Sequence, residues 1–285
     1  METVFNSRRN FIRLISLSSL ALTLPGFRFL NKIKPKAQIG IQLYTVRREI
    51  ETELEKVVQR IAEIGYEGIE TYPLPENITV KHAAKVFRKN KLEVFSMHTD
   101  LPEPANFDAI VRMAEEYKCN RVVYPGWPEG EKYRDVEGIK RTTELYNTIN
   151  ESLRKEGLEF GLHNHWWEFE THDEVIPFYY LLENLDKSIF FEIDTYWVKT
   201  AGLDPSKVLK DFGSRAPLLH IKDGPAEKGD NQYNMVPAGK GSLDFESIVE
   251  AGADNTKWLI IEFDEYKGEI LEGIEESYKY MNELG

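Results

Sequence analysis

The sequence predicts a single (β/α)8 barrel, and three observations lead there. From residue 38 onward, short runs rich in Ile, Val, Phe and Tyr alternate eight times with longer amphipathic stretches full of Glu and Lys. Residues 37–285 are close in number to the roughly 250 of one such barrel. No Gly-x-Gly-x-x-Gly follows the first strand, which argues against a doubly wound dinucleotide-binding sheet.

The units follow in order. A strand over Ile39–Tyr44 leads to a helix over Glu53–Ile64, which Gly65 stops. Gly68–Tyr72 precedes a helix over Val80–Asn90, and Leu92–Met97 one over Phe107–Tyr117. Arg121–Tyr124 leads to the long helix Val136–Glu156, with Gly157 beyond its end. Glu159–His163 and Val175–Asn184 form the fifth unit, Ile189–Asp194 and Pro205–Phe212 the sixth. Leu218–Lys222 with Asp244–Ala251, then Trp258–Phe263 with Glu269–Glu283, complete the set. The longest irregular piece, Asp223 to Ser242, follows the seventh strand, where a barrel carries an active-site loop. Nothing in 37–285 marks a linker between two domains.

Residues 1–36 read differently. They carry seven basic residues and one acidic, and Arg8-Arg9-Asn10-Phe11-Ile12 precedes an apolar run from Leu14 to Leu24. A basic head followed by such a run is the layout of an export signal, and the arginine pair resembles the twin-arginine type. The expectation is an exported, periplasmic protein, with a cytoplasmic one as the alternative. No apolar run reaches the roughly 18 to 20 residues of a membrane span.

The formal net charge of the chain is −12, and 1–36 alone contributes +6, so the remainder is strongly acidic. That surface argues against a nucleic-acid partner. A single cysteine, Cys119, excludes a disulfide framework and a cysteine-rich metal site. A homodimer is compatible with the sequence.

Barrel strands are buried on both faces, so ionisable residues at their C-terminal ends call for a function. Side chains two apart share a face. His163 and His165, Glu192 and Asp194, His220 and Lys222, and Glu262 and Asp264 therefore form four same-face pairs at consecutive strand ends. A cluster of imidazoles and carboxylates without thiolates suits one divalent ion such as Mn, Mg, Co or Zn. Burying that many carboxylates without a cation would cost several kcal/mol each.

Phe191-Glu192-Ile193-Asp194, His220-Ile221-Lys222-Asp223, Gly239-Lys240-Gly241 and Ile260-Ile261-Glu262-Phe263-Asp264 resemble the xylose isomerase-like barrels. More narrowly they resemble the sugar phosphate isomerase/epimerase group, over nearly all of 38–285. The resemblance implies a metal held by Glu, Asp, His and Glu from strands five to eight. Asp194, His220 and Glu262 match the last three positions. Where many relatives read Glu-Asn-His, this chain reads His163-Asn164-His165. Either His163 takes the first position or Glu168 reaches back from the loop; His163 is preferred because it ends the strand.

Such an ion would polarise a carbonyl while a base removes the neighbouring proton. Glu262 or Glu168 is the expected base, His165 or His98 the acid, and Lys222 a partner for developing negative charge. Gln42, Glu70, His165, Trp127 and Trp197 are expected to bind substrate, since sugar C–H faces pack on aromatic rings. The function expected is a metal-dependent isomerase or epimerase of a non-phosphorylated keto sugar. The alternatives are a lyase or hydratase on a 3-keto-glycoside and a sugar-binding barrel without chemistry.

Overall fold

The computed structural model describes residues 37–126 and 135–284. Residues 1–36, read above as an export signal, and Trp127 lie outside these, and the rest of the predicted pattern can be followed strand by strand. β1 (Gln38–Gln42), β2 (Gly68–Thr71), β3 (Glu93–His98) and β4 (Arg121–Tyr124) make the first half of the sheet. β5 (Glu159–His163), β6 (Phe190–Asp194), β7 (Leu218–Ile221) and β8 (Trp258–Ile261) make the second. Each strand pairs in parallel with the next, and β8 pairs with β1, so the barrel closes. Closure leaves no sheet edge to protect.

The outer helices are α1 (Arg47–Ile64), α2 (Val80–Lys89), α3 (Phe107–Tyr117), α4 (Val136–Lys155) and α5 (Pro177–Asn184). They continue with α6 (Thr195–Thr200), α7 (Pro205–Phe212), α8 (Phe245–Gly252) and α9 (Ile270–Leu284). Side-chain caps start several of them: Thr79, Asp135, Asp204 and Asp244 each accept a bond from a first-turn N–H. Two differences from the sequence reading are physical. Leu43 and Tyr44 leave the first strand for a 3-10 turn, where Gln42 Oε1 accepts from the Tyr44 N–H. α6 was not expected, because Tyr196, Trp197 and Val198 have weak helix propensity. Asp194 starts it by accepting the Trp197 N–H at 3.0 Å.

The barrel interior is divided by polarity. Its lower part holds Phe95, Val123, Phe190, Leu218, Trp258 and Ile260, with Phe95 and Trp258 stacked at 4.0 Å. Glycines on neighbouring strands make room for these rings: a Cβ on Gly40 or Gly161 would overlap Phe95 or Phe190. This apolar plug forces the next inward positions upward into a polar layer. That layer contains Gln42, Glu70, His98, His163, Glu192 and His220, all buried.

Candidate active site

The polar layer forms the floor of a cavity of about 610 Å3 at the C-terminal end of the strands. His98, His163, His165, Lys222, Glu262 and Asp264 line it, with aromatic walls from Tyr44, Tyr72, Trp167, Trp197 and Tyr233. In a (β/α)8 barrel this is the catalytic end. Strand register explains the convergence, because His163 is level with Glu192 and Asp194 with His220.

Two imidazoles turn opposite edges toward two shells of carboxylate. His220 Nε2 is 2.7 Å from Glu70 Oε2, while its Nδ1 is 2.6 Å from Glu262 Oε2 and 3.9 Å from Asp194 Oδ2. His163 Nδ1 is 3.0 Å from Glu192 Oε1, and its Nε2 is 3.9 Å from Asp194 Oδ2. Asp194 is fully buried, and its Oδ2 makes no hydrogen bond among the described residues. The donor atoms of Asp194, His220 and Glu262 lie within 4.8 Å of one another. A buried carboxylate oxygen that faces two imidazole nitrogens, with a second carboxylate and the Lys222 ammonium beside it, fits a divalent ion with bonds of roughly 2.0–2.2 Å. A second group with the same spacing, His98, His163, Glu192 and His220, adjoins it and shares His220.

Lys222 Nζ stands beside the outer carboxylates, 3.1 Å from Asp194 Oδ2, 2.9 Å from Glu262 Oε2 and 2.8 Å from Asp264 Oδ2. Burial disfavours its charge, but these three carboxylates more than offset that and raise its pKa well above the usual range. Burial would raise the pKa of Glu262, yet Lys222 and His220 hold it well below the ordinary value. Burial opposes a charge on His98, but Glu70 and Glu192 lift its pKa to about 10. His165, buried and near Lys222, falls to about 3 and is a neutral imidazole. Burial, with the neighbouring imidazoles and Lys222, also keeps His163 neutral, the form a metal requires.

Most predicted site residues therefore meet in one place. His98, His163, His165, Trp197, Lys222 and Glu262 line the cavity. Gln42, Glu70, Asp194 and His220 lie beneath, where Gln42 Nε2 donates to Glu70 Oε2 at 2.9 Å. Glu168 is placed apart from the cavity lining. A 3-10 turn over Trp167–Phe169 tucks it behind His165, whose backbone N–H donates to Glu168 Oε2 at 2.8 Å. The loop pairs the ring of His165 with Trp167 instead, stacked at 4.2 Å. Residues not assigned a role from sequence also join the site, among them Glu192, Asp264 and Tyr233. Parity signalled the first two, whereas Tyr233 lies in the long β7–α8 loop and had no signal.

Burial pushes the Glu168 carboxyl up from about 4.5 to about 8. The folded protein therefore keeps a proton that the unfolded chain releases above pH 4.5. Stability from this group falls by at most about 1.4 kcal/mol per pH unit between those values. Glu168→Gln should remove that slope, so its stability relative to wild type should rise from pH 5 to pH 8 in urea titrations. A difference that does not change with pH would contradict the assignment.

A family model described as xylose isomerase-like TIM barrel matches residues 58–284. The chain belongs to the xylose isomerase-like TIM-barrel family. Among solved structures of this fold, a sugar phosphate isomerase/epimerase from Parabacteroides distasonis is 22% identical, with a TM-score of 0.72. That match covers 90% of this chain and 97% of the other. A probable 3-DHS dehydratase from Bacillus anthracis is 15% identical over 86% and 98% of the two chains, at 0.69. The IOLI protein, solved with a zinc atom, is 13% identical over 87% and 97%, at 0.68. A search of proteins of curated function returned no match. For this member of the family, no helix among the described residues is long and apolar enough to cross a membrane.

Proposed function

We propose that this chain is a divalent-metal-dependent sugar isomerase or epimerase that removes the proton next to a carbonyl of a non-phosphorylated keto sugar. The observation that carries the reading is the convergence of Asp194 Oδ2, His220 Nδ1 and Glu262 Oε2 under an aromatic-walled cavity, with His163 Nε2 3.9 Å from Asp194 Oδ2. These four residues would hold the ion, which supplies Lewis-acid polarisation of the carbonyl when bound. Glu262 reaches both the floor and the cavity, which suits it to accept the proton. His98, kept protonated by Glu70 and Glu192, can donate to a sugar oxygen. Lys222 offers positive charge where negative charge develops. Trp167 and Trp197 present rings to the sugar's C–H faces.

The absence of phosphate on the substrate has its own support. Among the described residues lining the cavity, Lys222 is the one lysine or arginine, and three carboxylates already surround it. Among those residues a phosphate would find no free guanidinium. The basic and apolar segment 1–36 supports the same reading, since an exported enzyme meets free sugars.

A specific observation favours a second reading, elimination from a 3-keto-glycoside. An imidazole stands at the first ligand position, so Glu262 is the one carboxylate among the four candidate ligands that lines the cavity. A single base suffices for elimination, and a dehydratase is among the proteins that share the fold. Both readings are tested in heavy water with manganese, using a panel of ketohexoses and a 3-keto-glycoside. Deuterium entering a rearranged ketohexose supports the first reading, and aglycone release supports the second. Binding without exchange in any of these compounds would contradict both.

A further inference from the structure

An imidazole can give a metal one nitrogen, and the partner of the other nitrogen decides which. At the end of β5 that partner is Glu192. His163 Nδ1 is 3.0 Å from Glu192 Oε1, and His163 Nε2 faces Asp194. We propose that Glu192 is a positioning residue: by accepting the Nδ1–H of His163, it fixes the tautomer that presents Nε2 to the ion. The proposal rests on the metal site proposed above and names a residue that acts on it from beneath.

Several observations converge on this role. Glu192 is fully buried and level with His163 in the β5–β6 register, so its reach is set by backbone rather than by a mobile loop. Its Oε1 also lies 2.7 Å from His98 Nε2, on β3, and 3.0 Å from His220 Nε2, on β7, so one oxygen meets imidazoles from three strands. These are hydrogen-bond separations, and charge-assisted bonds of this length are strong. His220 has its own carboxylate, because its Nε2 is closer to Glu70 Oε2, at 2.7 Å, than to Glu192 Oε1, at 3.0 Å. Two buried glutamates thus stand behind two imidazoles, each holding the nitrogen that faces away from Asp194. By accepting the proton on the far side of the ring, Glu192 makes the outer nitrogen of His163 more basic toward a cation. The group of His98, His163, Glu192 and His220 is then the support of the site at Asp194 rather than a second one, since one imidazole cannot turn the same lone pair both ways.

The test measures Mn2+ affinity of the full-length chain by competition with a chromophoric chelator, alongside unfolding of the metal-free protein. Glu192→Gln should bind Mn2+ about 10- to 100-fold more weakly, the usual effect of removing such a partner. In a His163→Ala background the same change should have little further effect, since the ring it orients is gone. A loss of stability with unchanged affinity, or equal losses in both backgrounds, would overturn the role. Two ions in the wild type and one in Glu192→Gln would overturn it too, by making Glu192 a ligand. Should Glu192→Gln fail to fold, 15N NMR of the Zn2+-loaded wild type decides: a protonated His163 Nδ1 is expected, and a protonated Nε2 refutes the proposal. A folded wild type that binds neither ion would sink the metal site itself, a result distinct from intact binding with an indifferent Glu192.

Discussion

Asp194→Asn should leave a folded barrel that has lost its bound metal and its activity together. The residue has two separable tasks. Oδ1 caps α6 by accepting the Trp197 N–H, and asparagine caps as well as aspartate. Oδ2 faces the outer nitrogens of His163 and His220 at 3.9 Å each, where the negative charge matters. The asparagine variant should therefore keep the helix and lose the ion, whereas Asp194→Ala should also lose about 1 kcal/mol from the missing cap. His220→Ala should empty the site as well, because His220 touches both the outer carboxylates and Glu70. Elemental analysis after dialysis checks all three variants. Full metal occupancy in Asp194→Asn and His220→Ala would show that the ion sits elsewhere.

Lys222→Met should produce the largest change in the stability of the metal-free protein. The ammonium is buried and lies within 3.1 Å of Asp194, Glu262 and Asp264. Removing one partner from such a cluster leaves charges that water cannot reach, a cost of about 3–5 kcal/mol. A divalent ion supplies replacement charge to the same carboxylates. Saturating Mn2+ should therefore stabilise the variant more than it stabilises the wild type. Urea unfolding with and without Mn2+ measures both effects. A loss below about 1 kcal/mol without metal would mean that the three carboxylates are not held by Lys222.

Much of this architecture is legible in the sequence, and the reason is geometric. Alternation along a strand is rigid, so parity alone carried His163, Asp194, His220 and Glu262 to the barrel mouth, where they are found. Parity also pointed Glu192 inward but assigned it no task. Below the mouth a polar residue reads as core until its neighbours from β3 and β5 are known. Loops were less legible. Nothing in Trp166-Trp167-Glu168 signals that a 3-10 turn hides the carboxylate behind His165 and turns Trp167 to the cavity. The same holds for α6, whose aromatic and β-branched residues disfavour a helix that Asp194 nevertheless caps.

The account stands on one ion held at the cavity floor. The direct measurement is anomalous diffraction at the manganese edge from crystals of the full chain grown with Mn2+. One peak is expected, within bonding distance of His163 Nε2, Asp194 Oδ2, His220 Nδ1 and Glu262 Oε2. A peak bonded instead to His163 Nδ1 and Glu192 Oε1, or no peak at the strand ends, would contradict it.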